Sequence, residues 1–159
     1  MNKIILLNFI ELSLSNKKIV LFWRNHGSIK KWMFNSLDIS LEEHLSFIES
    51  LMNSKTKLYF LVKQNNNFLG VIDFTNINKN SAEFGLYTNP KIKGKGEILL
   101  KTICDYAFKE LKIRILYAEA FIDNIRAIEL YKKFNFLETK IKIIQKKEVI
   151  CMELKNENW

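Results

Sequence analysis

Residues 87–104, "YTNPKIKGKGEILLKTIC", decide how this chain is read. Gly94 and Gly96 stand two apart among lysines, directly before an apolar run of helical spacing. A strand, a short glycine loop and a helix start, in that order, form an anion site. The first amides of a helix have no partner within it and point outward. Glycine lets the backbone come close to a ligand, and Lys91, Lys93 and Lys95 add positive charge. The same letters also fit an ordinary turn between a strand and a helix. The loop is not a Walker motif, because no Gly-Lys-Ser/Thr follows a four-residue gap, and it lacks the third glycine of a dinucleotide fingerprint. The choice falls to the flanking elements.

Upstream, residues 3–9 (KIILLNF) read as a strand rich in aliphatic and β-branched side chains. A helix is expected over residues 16–25, capped by Ser15, with Ile19, Val20, Phe22 and Trp23 on its apolar face. A loop follows. Ser40 then starts a second helix and forms a capping box with Glu43. Leu41, Leu45, Ile48 and Met52 fall on one face of it. "KLYFLVKQ" and "FLGVIDFTNI" make a hairpin around an asparagine turn, and "SAEFGLYTN" is a further strand. Downstream of the glycines, residues 97–111 form an amphipathic helix and 113–124 a mostly apolar strand, covered on both faces. Residues 125–135 form a short helix, and 136–144 with 148–155 a closing hairpin. The order β-α-α-β-β-β-α-β-α-β-β is α/β with a largely antiparallel sheet and a central crossover.

Composition narrows the classes. At 159 residues and 48% hydrophobic content, the chain supports one domain over 1–159 with its own core, without disulfides or metal. Cys104 and Cys151 sit in apolar patterns and read as buried thiols of a cytoplasmic protein. The two histidines are isolated, so no metal site is expected. The apolar N-terminus is broken by Asn8 and Glu11 and lacks a small-residue cleavage site, which favours a strand over a signal peptide. No segment approaches the roughly 20 apolar residues that span a bilayer. A net charge of +8 suits nucleic acid, an anionic membrane surface, or small polyanions such as nucleotides and coenzyme A. The lysines are spread rather than concentrated, which speaks against nucleic acid and leaves a solvated surface as the plain reading of most of them.

The motifs now settle the opening question. "SAEFGLYTNPKIKGKGEILL" resembles the central motif of the GCN5-related N-acetyltransferases, where a strand with Ala-Glu-apolar-Gly leads into a Gln/Arg-x-x-Gly-x-Gly/Ala loop and a helix. Residues 91–96 match that loop, except that Lys91 replaces the usual Gln or Arg. "DNIRAIELYKKFNF" resembles the family's second motif: Asn124, Ala127, Tyr131 and Phe136 fit, and Asn135 stands where glycine is usual. Asparagine also tolerates the left-handed conformation of a helix C-cap. "FWRNHGSIKKWM", "EEHLSFI" and "LGVIDFTNI" are similar to the acetyltransferases of the bacterial pseudaminic-acid pathway of flagellin glycosylation. The resemblance implies a GNAT fold: a mixed, mostly antiparallel sheet of about seven strands with about four helices, splayed between the fourth and fifth strands. It implies acetyl-CoA as co-substrate, no metal, and a UDP-linked 4-amino-4,6-dideoxy-N-acetyl-altrosamine as acceptor, with no nucleic-acid or membrane partner. A homodimer through a sheet edge is compatible with it.

The same resemblance assigns roles. The backbone of Leu86, Tyr87 and Thr88 would pair with the pantetheine arm as an added strand and offer an amide to the oxyanion. The amides of Lys93, Gly94, Lys95 and Gly96 would take the pyrophosphate. Asn124 would bond the arm, cap the helix, or do both. Tyr131 would protonate the departing thiolate as general acid; its plain alternative is a core tyrosine. A sugar amine is less basic than a lysine, so water can carry its proton away; Glu83, in strand phase with Tyr87, is a candidate base. Arg24 suits a diphosphate through its bidentate donors. His44, Tyr87 and Lys79 are further acceptor contacts, with His26, Trp32 and Phe34 behind them. Two other readings compete: an acetyltransferase of protein N-termini, and a CoA- or nucleic-acid-binding module without turnover.

Overall fold

A computed structural model describes residues 3–159. The β-branched and aliphatic runs become strands β1 (Ile4–Asn8), β2 (Leu58–Gln64), β3 (Asn67–Thr75), β4 (Ser81–Thr88), β5 (Ile115–Phe121), β6 (Leu137–Ile144) and β7 (Lys147–Lys155). They form one sheet in the order β1-β2-β3-β4-β5-β7-β6. Every neighbouring pair is antiparallel except β4 and β5. That parallel pairing is short, with Ser81 against Ile115, Ala82 against Leu116 and Glu83 against Tyr117. On its other side β4 stays paired with β3 as far as Thr88. Residues 84–88 therefore present one backbone edge to a gap in the middle of the sheet, where the sequence resemblance places the splay.

Helices cover both faces. Helix α1 (Leu14–Asn25) begins two residues earlier than its sequence suggests, because Ser13 rather than Ser15 caps it, accepting from the Asn16 N–H at 3.1 Å. Val20 and Trp23 are buried, whereas Phe22 is 62% exposed. The segment expected to be a plain loop holds one helical turn, α2 (Gly27–Lys30), started by His26, so the described residues form five α-helices rather than about four. In α3 (Leu41–Ser50) Ser40 accepts from the Glu43 N–H at 3.1 Å, as the capping box requires. Its inward face is not the expected one: His44 and Ile48 are buried, while Leu41 and Met52 are 38% and 65% exposed. Helices α4 (Gly96–Asp105) and α5 (Ile125–Lys133) lie on the opposite face, and α4 continues into a widened turn over Tyr106–Glu110. Asn135, with φ +72°, takes the left-handed position after α5.

The alternation of each strand divides its side chains between two cores. Phe60, Ile72, Phe74, Ala82, Phe84, Leu116 and Ala118 pack with Leu99, Leu100, Ile103 and Ile128 of α4 and α5. Leu61 and Val71 pack with Val20, Trp23 and Ile48 under α1 and α3, with Tyr59 and Tyr87 at the margin. The catalytic possibilities of the fold lie where these two layers meet across the gap. Phe74 is fully buried and stacks on Tyr106 with ring centroids 5.3 Å apart. Phe74→Ala should lower unfolding free energy by about 3–5 kcal/mol; urea denaturation checks this, and a loss below about 1 kcal/mol would mean the site collapses around the cavity.

Candidate active site

The glycine loop meets the requirements of an anion site. Gly94 has φ +75°, a conformation that admits glycine without strain, and an added Cβ there would meet nothing within 4 Å, so its backbone is open to a ligand. Lys95 is the N-cap of α4 and no side chain caps the helix, which leaves its first amides uncommitted. Glu97, the one acid of that first turn, is drawn away by an ion pair with Lys133 of α5. The loop leaves β4 at the end where its edge is free, so the anion site and the open edge adjoin.

Tyr131 approaches the same gap from α5. It is 8% exposed, packed edge-on against Phe84 at 5.3 Å and beside Phe136 at 5.9 Å. Burial raises its pKa, so the hydroxyl keeps its proton at neutral pH. Asn124 caps α5, its side-chain oxygen accepting from the Ala127 N–H at 3.3 Å. That bond leaves the amide NH2 to donate.

On the opposite side of the sheet the pairing register sets Tyr59 of β2, Asp73 of β3 and Gly85 of β4 in one row. Asp73 leans over Gly85: a Cβ on Gly85 would lie 2.6 Å from the Asp73 carboxylate oxygen. The Gly85 amide donates to that carboxyl, yet burial prevails and pushes its pKa up to about 7. Tyr87, in the next row, is raised in the same way, chiefly by burial. Arg24 reaches toward Tyr87 from the end of α1. One guanidinium nitrogen donates to the Asn35 carbonyl, and Nη1 is buried with no hydrogen-bond partner among the described residues.

The segment after α2 forms a strap tied back to α1. Asn25 holds both backbone groups of Ile39, at 2.8 Å each, and Lys30 pairs with Asp38 at 2.8 Å. Phe34, carried on the strap, meets Phe121 of β5 edge-on at 5.2 Å, and so bridges the gap from above.

The Acetyltransferase (GNAT) family model matches residues 22–136. The chain belongs to the GNAT acetyltransferase family. Among its relatives, the acetyltransferase PseH of Campylobacter jejuni is 44% identical over 129 residues, spanning 81% of this chain and 82% of that protein. The crystal structure of the C. jejuni PseH in complex with acetyl coenzyme A superposes with a TM-score of 0.79 at 38% identity, covering 97% of this chain and 99% of that one. Spermidine N-acetyltransferase from Vibrio cholerae, in complex with CoA and spermine, shares the fold with a TM-score of 0.87 at 22% identity, over 98% and 96% of the two chains. The GNAT fold expected from the motifs is thus the fold observed.

Within this GNAT frame, the residues singled out in the sequence do not all converge. The β4 edge (Leu86, Tyr87, Thr88), the loop (Lys93 to Gly96), Asn124, Tyr131 and Arg24 gather around the gap. Glu83 stands at the last position where β4 still pairs with β5, and its carboxylate accepts from Asn76 at 3.2 Å. Lys79 is exposed in the β3–β4 turn, at the other end of β4 from the glycine loop. His26 is committed to starting α2. Trp32 is half-buried beneath the Lys31 ammonium, 5.3 Å from its ring. Asp73 and the Asn25 clamp were missed. The one legible sign of Asp73 was an acid inside the otherwise apolar run "FLGVIDF".

His44 is 6% exposed, and its Nε2 lies 2.9 Å from the Lys17 carbonyl, so that nitrogen ties α3 to α1. Burial outweighs that bond and lowers the ring's pKa from its ordinary value. The folded state then binds fewer protons than the unfolded chain. The neutral ring's stabilisation is complete above the unfolded pKa of about 6.5 and is lost as pH falls through the folded value. Acidification from about pH 7 to about pH 5 should therefore cost the wild type more urea stability than His44→Leu. Parallel stability–pH curves would remove this account.

Proposed function

We propose that the protein transfers acetyl from acetyl-CoA to the 4-amino group of a UDP-linked 4-amino-4,6-dideoxy-N-acetyl-altrosamine, a step of pseudaminic-acid biosynthesis for flagellin glycosylation. The observation that carries the acceptor class is Arg24. A half-buried guanidinium with an orphaned Nη1 is costly until an anion satisfies it. A nucleotide diphosphate supplies that anion; a polyamine would bring a second positive charge to the same pocket. The identity with the acetyltransferase PseH across most of both chains supports acetyl transfer from acetyl-CoA.

Transfer is direct. The pantetheine arm adds to the free edge of β4 through Leu86, Tyr87 and Thr88, and its pyrophosphate rests on the amides of residues 93–96. Asn124 donates to the arm. The amine attacks the thioester carbon, a β4 amide holds the developing oxyanion, and Tyr131 gives its proton to the departing sulfur as general acid. A peptide N-terminus as acceptor needs an open groove, and the Phe34–Phe121 contact over the gap speaks against one.

Thiol release from acetyl-CoA tests the acceptor, comparing the UDP-linked amine, its UDP-free analogue and a short peptide. Rapid release with the UDP-linked amine alone is expected; release with the peptide alone would overturn the assignment. Arg24→Ala should raise KM for the UDP-linked amine by about 10–100-fold, the worth of one charged hydrogen bond, while leaving KM for acetyl-CoA unchanged. Tyr131→Phe should cut kcat by about 10²–10⁴-fold with acetyl-CoA affinity kept. Equal loss of binding and turnover would make Tyr131 a packing residue.

A further inference from the structure

The acceptor reaches the reaction as an ammonium ion, and an ammonium nitrogen has no electron pair to attack with. Water can carry that proton away, and a positioned carboxylate on the acceptor side of the gap does so faster. Glu83 stands where β4 and β5 are still closed together and is engaged by Asn76. Asp73 lies two residues further along the sheet, beside Gly85, where the strands have parted. We propose that Asp73 is the catalytic base that deprotonates the acceptor amine, and that Gly85 is the opening in β4 through which its carboxylate reaches the reacting nitrogen. This inference rests on the acetyl-transfer reading above.

Geometry carries it. The carboxyl is turned across β4, with its oxygen 2.6 Å from where any Gly85 side chain would begin. It is half-buried and in no ion pair among the described residues. The groups around it are Tyr59 from β2, the Gly85 amide and Tyr87 from β4, Arg24 beyond Tyr87 from α1, and Tyr131 from α5. Tyr131 senses the Asp73 charge although the two residues belong to opposite faces of the sheet. A proton acceptor and a proton donor thus address one gap from its two sides. The carboxyl's pKa of about 7 matches proton removal at neutral pH.

The step balances. Asp73 takes one proton from the ammonium and later yields it to solvent. The freed nitrogen pair forms the C–N bond as the carbonyl pair moves to oxygen. Collapse breaks the C–S bond, and the sulfur takes the Tyr131 proton. The second nitrogen proton leaves as the amide forms and restores Tyr131. One proton is released per acetyl transferred.

The test is the pH profile of kcat/KM, from about pH 5.5 to about pH 9.5, for wild type and Asp73→Asn. The probes are the UDP-linked 4-amino sugar and, separately, spermidine. Wild type should rise to a plateau with a midpoint near 7. Asp73→Asn should lose about 10²–10⁴-fold at neutral pH, and its residual rate should climb with pH as free amine appears, without that plateau. Acetyl-CoA affinity should stay unchanged. The thermal midpoint at alkaline pH should match or exceed wild type, because a buried carboxylate with a raised pKa destabilises the fold there. A merely structural aspartate would give the reverse: a lowered midpoint and an unaltered profile shape, which overturns the proposal. Gly85→Ala, which crowds the same carboxyl, should lose the same limb of the profile. If neither variant folds, a carbon-13 carboxyl titration of wild type decides: a midpoint near 7 is expected, and an ordinary carboxylate value below about 5 overturns it. Transfer to spermidine but not the sugar would fail the substrate reading and leave the Asp73 comparison standing on spermidine. Release with neither amine overturns both.

Discussion

The parting of β4 from β5 after Glu83 is the constraint on which the rest of this protein depends. Backbone amides and carbonyls in mid-sheet are normally paired, and leaving them unpaired in a dry interior costs about as much as a lost hydrogen bond for each group. Here the free edge of residues 84–88 is retained while both flanks of the sheet are built normally. β3 continues along β4 to Thr88, and β7 continues along β5 to Phe121. The gap is therefore a vacancy for one more extended segment. Its rigidity comes from the two halves of the sheet, not from the loops above it.

The same connection that makes the gap also places the anion site. β4 and β5 are parallel, so the chain must cross over between them, and the crossover is α4. A crossover begins at the carboxyl end of the first strand, the end at which α/β sheets bind their ligands. Gly94 lets the chain turn there, and the uncapped start of α4 faces the free edge. The ion pair between Glu97 and Lys133 matters for the same reason, because an acid loose in the first turn would itself compete for those amides. The open edge of β4 and the uncapped start of α4 thus adjoin, as the proposed binding of a phosphate-bearing arm requires.

Much of this was legible in the chain. Apolar and alternating runs marked each strand to within about three residues. The Gly94–Gly96 loop and the Asn124–Tyr131–Phe136 spacing pointed to the family that the comparison shows, because both are local features of a few residues. What failed was whatever depends on distant partners. Ser13 and Ser15 are equally good caps by type, and only the packing of α1 selects between them. His44 lies within a face that periodicity would leave polar; the Lys17 carbonyl, 27 residues away, makes its burial possible. Arg24 was found for its type, but that one nitrogen bonds Asn35 while Nη1 stays buried without a partner among the described residues shows only in the fold. Asp73 was passed over because one acid in an apolar strand looks like an interruption, and its setting comes from β2, β4 and α5 together.

Gly85 shows how a residue chosen for absence gains meaning from structure. In the sequence it is the last letter of an Ala-Glu-apolar-Gly pattern, with no reason for being glycine. It is not in a left-handed conformation, and glycine weakens a strand interior. The reason is steric and lies across the sheet: any side chain there would strike the whole carboxyl group of Asp73, with its three atoms 2.6 to 3.2 Å from the new Cβ. Filling that space would stiffen β4 and displace the carboxyl from the gap. Keeping it empty leaves a carboxyl with a raised pKa in the row where β4 has parted from β5. A sheet selected only for stability would close β4 onto β5, fill position 85 and neutralise Asp73. None of those repairs is made at this row of the sheet, and that coincidence is what favours it as the place where the acceptor amine loses its proton.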